Sequence, residues 1–153
     1  MNRWKEALYK THWEEDGGDP AGVILDGAHN PGAVEVFVES VNAQQENNFE
    51  KIILFSAVKE KEYETMIRML CETIDAKEYI LTQIENERGV STEELAGVFR
   101  KYTDKKIIEE ENLEKAFCMA LKEKGENDRV YCLGSLYLVG MLKELIVGGK
   151  KHA

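Results

Sequence analysis

Apolar positions along this chain alternate between two periods. Short runs rich in β-branched and aliphatic residues are followed, five times over, by segments whose apolar residues recur every three or four positions. The first run is Gly22-Val23-Ile24-Leu25-Asp26, and Pro31 then suits the first turn of a helix that carries Val34, Phe37, Val38 and Val41. The second is Lys51–Ser56, followed by Tyr63, Met66, Ile67, Leu70 and Ile74 at helical spacing. The third is Glu78–Thr82. After it, Ser91-Thr92-Glu93-Glu94 reads as a capping box ahead of Leu95, Val98, Phe99 and Tyr102. The fourth is Lys105–Glu109, with Asn112 as the N-cap of a helix bearing Leu113, Ala116, Phe117, Ala120 and Leu121. The fifth is Arg129–Gly134, followed by Ser135 and a helix with Leu138, Met141, Leu142 and Leu145.

Five βα units predict an α/β fold: an open, mostly parallel, Rossmann-like sheet of five or six strands with helices on both faces. The strands read as near-continuous apolar runs, as both-face burial requires. Residues 1–20 stand outside the alternation and read as a linker or N-terminal segment, leaving 21–150 as the domain. The length, 153 residues, fits one domain able to fold without a disulfide or metal staple.

Charge and composition then narrow the function. Lys plus Arg number 20 and Asp plus Glu 29, a net charge of −9 that argues against nucleic acid and against a polybasic membrane surface. No stretch approaches the ~20 apolar residues of a membrane span. Three cysteines, 71, 118 and 132, form no C-x-x-C pair and make a poor disulfide framework, which predicts a reducing, cytoplasmic setting. Histidines at 12, 29 and 152 lack zinc-ligand spacing, so no metal site is expected. There is no P-loop, no G-x-G-x-x-G after the first strand and no G-x-S-x-G elbow. A receiver-type phospho-acceptor is excluded because the third strand ends in Leu81-Thr82-Gln83 rather than an aspartate.

In an open parallel sheet, ligands bind at the carboxyl ends of the strands. The first strand ends in Asp26-Gly27-Ala28-His29-Asn30, a carboxylate, an imidazole and a carboxamide ahead of a helix N-terminus whose amides favour anions. Asp26 can accept from a ribose hydroxyl or an ammonium, and His29 can donate to phosphate or carboxylate. The bland alternative is a tight turn with Asp26 or Asn30 capping the helix. The fifth strand ends in Gly134-Ser135-Leu136-Tyr137, where glycine admits a ligand to the backbone and serine with nearby amides can hold a carboxylate. Here too a simple Ser N-cap competes. After the second strand, Lys59 is the better-placed candidate for an anion contact, whereas Lys61 reads as solvated charge.

Taken in order, these segments resemble a known family. Leu25-Asp26-Gly27-Ala28-His29-Asn30-Pro31 resembles the L-D-G-A-H-N-P motif of folylpolyglutamate synthases and their bifunctional dihydrofolate synthase relatives. Val58-Lys59-Glu60-Lys61-Glu62-Tyr63 is similar to their V-x-K-D-K-D-[YF] stretch, with Glu in place of each Asp, and Gly134–Gly140 resembles a motif near their end. The resemblance covers about residues 8–148, the C-terminal domain of that Mur-ligase-like family. Peptidoglycan-type Mur ligases carry a different first motif of the D-Y-A-H-x-P form. The resemblance implies a domain of an ATP-dependent amide ligase that adds L-glutamate to folate through an acyl phosphate. His29 would be catalytic, Asp26 and Asn30 nucleotide-binding, and Ser135, Gly134 and Tyr137 glutamate-binding. ATP and Mg²⁺ would be held mainly by an N-terminal P-loop ATPase domain, a partner in cis that this sequence lacks. The chain alone is therefore expected to be inactive. A stand-alone nucleotide- or partner-binding module of the same fold is the alternative. One departure stands out: the family's W-P-G-R-x-E before the first strand is replaced after Trp13 by Glu14-Glu15-Asp16-Gly17-Gly18, without an arginine.

Overall fold

A computed structural model describes residues 22–43 and 49–151. The segment read as a linker, the Trp13 region and His12 and His152 lie outside the described residues.

Within the described residues the chain runs β1 (Val23–Leu25), α1 (Pro31–Asn42), β2 (Lys51–Phe55), α2 (Tyr63–Thr73), β3 (Glu78–Leu81), α3 (Thr92–Phe99), β4 (Lys106–Glu109), α4 (Leu113–Glu123), β5 (Arg129–Leu133) and α5 (Leu136–Lys151). The five strands form one sheet in the order β1-β5-β2-β3-β4, with every neighbouring pair parallel. Each strand is slightly shorter than its apolar run, yet pairing continues past the ends of β1, β2, β3 and β4. The amides of Asp26, Ser56, Thr82 and Glu110 donate to the carbonyls of Cys132, Leu133, Phe55 and Leu81.

Side chains alternate across the sheet and build two cores. Ile53, Phe55, Tyr79, Leu81, Tyr131 and Leu133 face α1, α2 and α3. Ile52, Leu54, Ile80, Val130 and Cys132 face α4 and α5, meeting Phe117, Leu138 and Leu142. The two-sided covering explains why the strands read as continuous apolar runs rather than alternating ones. On the first face, Phe55 and Tyr79 pack against Phe99 in edge and tilted contacts of 5.6 and 4.8 Å between ring centroids.

Three helix starts follow the capping chemistry of the sequence. Asn30, Ser91 and Asn112 accept from the amides of Ala33, Glu94 and Lys115 at 2.9, 3.1 and 2.9 Å. Each such cap contributes about 1 kcal/mol. Glu94, expected to complete a reciprocal box, instead places its carboxylate beside the Tyr63 hydroxyl; burial, then this hydrogen bond, push that phenol's pKa up. Cys118 and Cys132 are buried and Cys71 half-buried, none in a disulfide. Among the described residues no helix is long and apolar enough to cross a membrane.

The strand order positions the site. The helices after β1 and β2 cover one face, whereas the helix after β5, which lies between them, covers the other. The chain therefore leaves adjacent strand ends in opposite directions at β1–β5 and β5–β2, and again at β3–β4, where α3 and α4 cover opposite faces. That divergence opens the crevice in which α/β sheets hold ligands.

Candidate functional site

The turns after β1 and β5 are joined directly: the Gly134 amide donates to the Ala28 carbonyl at 2.9 Å. Gly134 has φ +112°, and a Cβ there would sit 2.0 Å from the Ser56 carbonyl oxygen and 2.8 Å from the Phe55 ring. Only glycine fits, because the ends of β5 and β2 touch through its backbone.

Within the β1 turn, Asp26 Oδ1 accepts from the Ala28 amide at 2.8 Å and closes a local turn. His29 Nδ1 lies 2.8 Å from the Gly27 carbonyl. A carbonyl can only accept, so Nδ1 carries the hydrogen and Nε2 is left for chemistry, as an acceptor when the ring is neutral. Asn30 spends its carbonyl oxygen on capping α1 and keeps its amide hydrogens. Asp26, His29 and Asn30 are all half-buried.

In the β5 turn, the Ser135 hydroxyl accepts from the Tyr137 amide at 3.1 Å, and Ser135 is only 2% exposed. The capping reading of Asn30 and Ser135 is thus realised in the fold. It leaves each side chain with hydrogens to donate. Tyr137 and Leu136 are exposed, and Leu136 packs toward Gly27, where an added Cβ would come within 3.3 Å of it.

The helix starts differ in charge. Helices α2, α3 and α4 carry Glu64, Glu93 with Glu94, and Glu114 in their first turns, whereas α1 and α5 carry no acidic residue there. In a chain of net charge −9, the two helices that open onto the β1–β5 crevice keep their N-terminal amides free of an internal carboxylate. An anion is the complement of that arrangement.

Lys59 is placed elsewhere. It lines a neighbouring cleft of about 540 Å³ with Tyr63, Gln83, Gly89, Ser91 and Glu94, between the ends of β2 and β3. The fold therefore brings Asp26, His29, Asn30, Gly134, Ser135 and Tyr137 to one crevice and leaves Lys59 beside it. The sequence reading passed over Arg88, in the loop after β3. Its Nε donates to Glu60 Oε1 at 2.9 Å and its Nη1 to the Tyr137 hydroxyl at 3.1 Å. The available signal was one cation in Glu87-Arg88-Gly89, within a strand-end loop. Glu60 is held below the usual carboxylate range by a backbone hydrogen bond and by Arg88. Among the described residues no three His, Cys, Asp or Glu side chains converge as metal ligands.

Comparison with known proteins bears on the fold and the family. A probable bifunctional folylpolyglutamate synthase/dihydropteroate synthase of Halobacterium salinarum is 29% identical over 145 residues, covering 86% of this chain and 16% of that protein. The structure of Escherichia coli FolC in complex with DHPP and ADP superposes with a TM-score of 0.75 at 22% identity, over 84% of this chain and 29% of that one. A bifunctional folylpolyglutamate synthase/dihydrofolate synthase with Mn, AMPPNP and L-glutamate bound superposes at 0.68 with 23% identity, over 82% and 29%. The two structural likenesses establish the fold, and the chain spans less than a third of each of these relatives. The family described as Mur ligase, glutamate ligase domain matches residues 13–136, and the chain belongs to that family.

Proposed function

We propose that this chain is the C-terminal, glutamate-contacting domain, residues 21–150, of a cytoplasmic ATP-dependent amide ligase that adds L-glutamate to folate. The observation that carries the reading is the pair of acid-free helix starts facing one crevice, joined by the Gly134–Ala28 hydrogen bond. Such a ligase must hold two anionic reactants, a phosphorylated carboxylate and an amino acid, with fixed donors.

In this reading an N-terminal P-loop domain of the same polypeptide, joined to this one through the linker of residues 1–20, binds ATP, Mg²⁺ and the folate. When bound, Mg²⁺ neutralises phosphate charge; nothing in the described residues gathers the carboxylates it would need here. A folate carboxylate oxygen takes the γ-phosphoryl group, giving an acyl phosphate and ADP. The glutamate amine then attacks the acyl carbon, forming the γ-glutamyl amide and releasing phosphate. His29 is the catalytic residue: Nε2 accepts the amine's proton and, once protonated, donates to the departing phosphate. Asp26 and the Asn30 amide hydrogens contact the nucleotide. The Ser135 hydroxyl, the exposed backbone at Gly134 and Tyr137 take the glutamate. Lys59, in its separate cleft, is an outlying anion contact.

The test is acceptor choice by the polypeptide of the complete gene. ATP-dependent incorporation of labelled glutamate into tetrahydrofolate, and not into a UDP-linked peptidoglycan acceptor, is the expected result. Incorporation into the UDP-linked acceptor, or none with either, would overturn the folate reading. The chain of 153 residues alone should show no incorporation.

A further inference from the structure

Arg88 links three strand ends that share no sequence neighbourhood. Its backbone is fixed on both sides: the amide donates to Asn86 Oδ1 at 2.8 Å, and the carbonyl accepts from the Lys59 amide at 2.8 Å. The next residue, Gly89, forms an antiparallel bridge with Val58, and the Val90 amide donates to Ala57. A Cβ at Gly89 would lie 2.6 Å from the Ile84 carbonyl oxygen, so the loop turns tightly at that point. The loop after β3 is thereby zipped onto the loop after β2, with the Arg88 guanidinium projecting from the seam.

That guanidinium reaches Glu60 on one side and Tyr137 on the other, its central carbon 5.7 Å from the Tyr137 ring centroid. Tyr137 is 48% exposed, and its hydroxyl and ring both meet the guanidinium. The contact adds little stability, since Arg88 and Glu60 side chains are 47% and 53% exposed and such ion pairs contribute little. The fork geometry is what matters. A guanidinium can serve a carboxylate and a phenol at once in a fixed plane, which a lysine ammonium cannot do.

We propose that Arg88 is a positioning residue of the β5 turn: it fixes the Tyr137 side chain and ties that turn to the loops after β2 and β3. The proposal rests on the reading of that turn as the glutamate site. Arg88 acts through Tyr137, with Glu60 orienting the guanidinium.

Two measurements test it and keep its failure separate from that of the glutamate reading. In this chain, ¹⁵N–¹H amide spectra of Arg88→Ala and Arg88→Lys should show shifted signals for Leu136–Leu138 as well as for the Ala57–Glu60 loop. Unmoved signals at Leu136–Leu138 would overturn the tie outright. In the ligase, Arg88→Ala should raise the glutamate KM about 5–10-fold with a smaller change in kcat, and Arg88→Lys should not restore it. The Arg88→Ala/Tyr137→Phe double variant should be no worse than the more affected single variant, because both remove one contact. Multiplying effects would overturn action through Tyr137. If the amides shift but neither these variants nor Ser135→Ala changes the glutamate KM, the glutamate reading falls, and the positioning role with it.

Discussion

The amide of Gly134 and the carbonyl of Ala28, 2.9 Å apart, join the two turns that carry the candidate site. Residues separated by a hundred positions in sequence thus share one crevice, and their register depends on a backbone that tolerates no side chain. Gly134→Ala would force a Cβ against the Ser56 carbonyl at a φ of +112°. We expect a loss of about 3 kcal/mol or more, from strain and overpacking together, read as a lowered denaturation midpoint. An unchanged midpoint would mean the β5 end can relax away from β2.

Asn30 separates capping from ligand contact. Asn30→Asp keeps the acceptor for the Ala33 amide and adds a negative charge at a helix N-terminus, so stability should hold or rise by up to about 1 kcal/mol. The same change removes the amide hydrogens and places charge where an anion should sit. Ligase turnover or ATP affinity should therefore fall while thermal stability does not. Stability and activity falling together would reduce Asn30 to a cap.

Glu78 gives a pH dependence. Its side chain is 1% exposed, with Lys106 Nζ 3.7 Å away, and burial, aided by the nearby Glu123, raises its pKa against the pull of Lys106 and Lys77. A raised carboxyl pKa favours the fold fully below the unfolded value, near 4.5, and that contribution is lost as pH rises through the folded value. Glu78→Gln should accordingly be more stable than the parent at pH 7, by about 1 kcal/mol, and the advantage should vanish below pH 4.5 in denaturant titrations. A less stable Glu78→Gln at pH 7 would show that the lysines outweigh burial.

Cys71 should be a poor nucleophile in the folded chain. Burial, opposed by a hydrogen bond with Tyr79, pushes its thiol up to about 11. Alkylation at pH 8 should be slow, then accelerate on unfolding. The thiol's contribution to stability is present below pH 9 and lost as pH rises toward 11. Rapid alkylation under native conditions at pH 8 would contradict its environment.

Much of the fold was legible because local chemistry and packing agree. The apolar runs gave all five strands, and Asn30, Ser91 and Asn112 marked three helix starts that the structure caps as read. Strand order was not legible, since it depends on which helix crosses which face. That order brings Gly134 beside Ala28, while the pairing of the loop after β2 with the loop after β3 turns Lys59 into a cleft of its own. Glu94 was misread as a reciprocal cap because its competitor, Tyr63, comes from another helix. Arg88 was passed over for a similar reason: its partners Glu60 and Tyr137 lie 28 and 49 residues away, and a lone arginine in a polar loop reads as solvated charge.

The central claim is that the β1 turn does chemistry rather than merely turning the chain. His29 tests it most directly, because its Nδ1 is committed to the Gly27 carbonyl and only Nε2 remains for a reactant. The measurement is steady-state ligation of glutamate to tetrahydrofolate by the complete ligase and its His29→Ala variant, with thermal unfolding of both. The account predicts kcat lower by about 100-fold or more, with the unfolding temperature nearly unchanged. Unchanged kcat and unchanged KM for glutamate would contradict it and leave His29 as a residue of the turn.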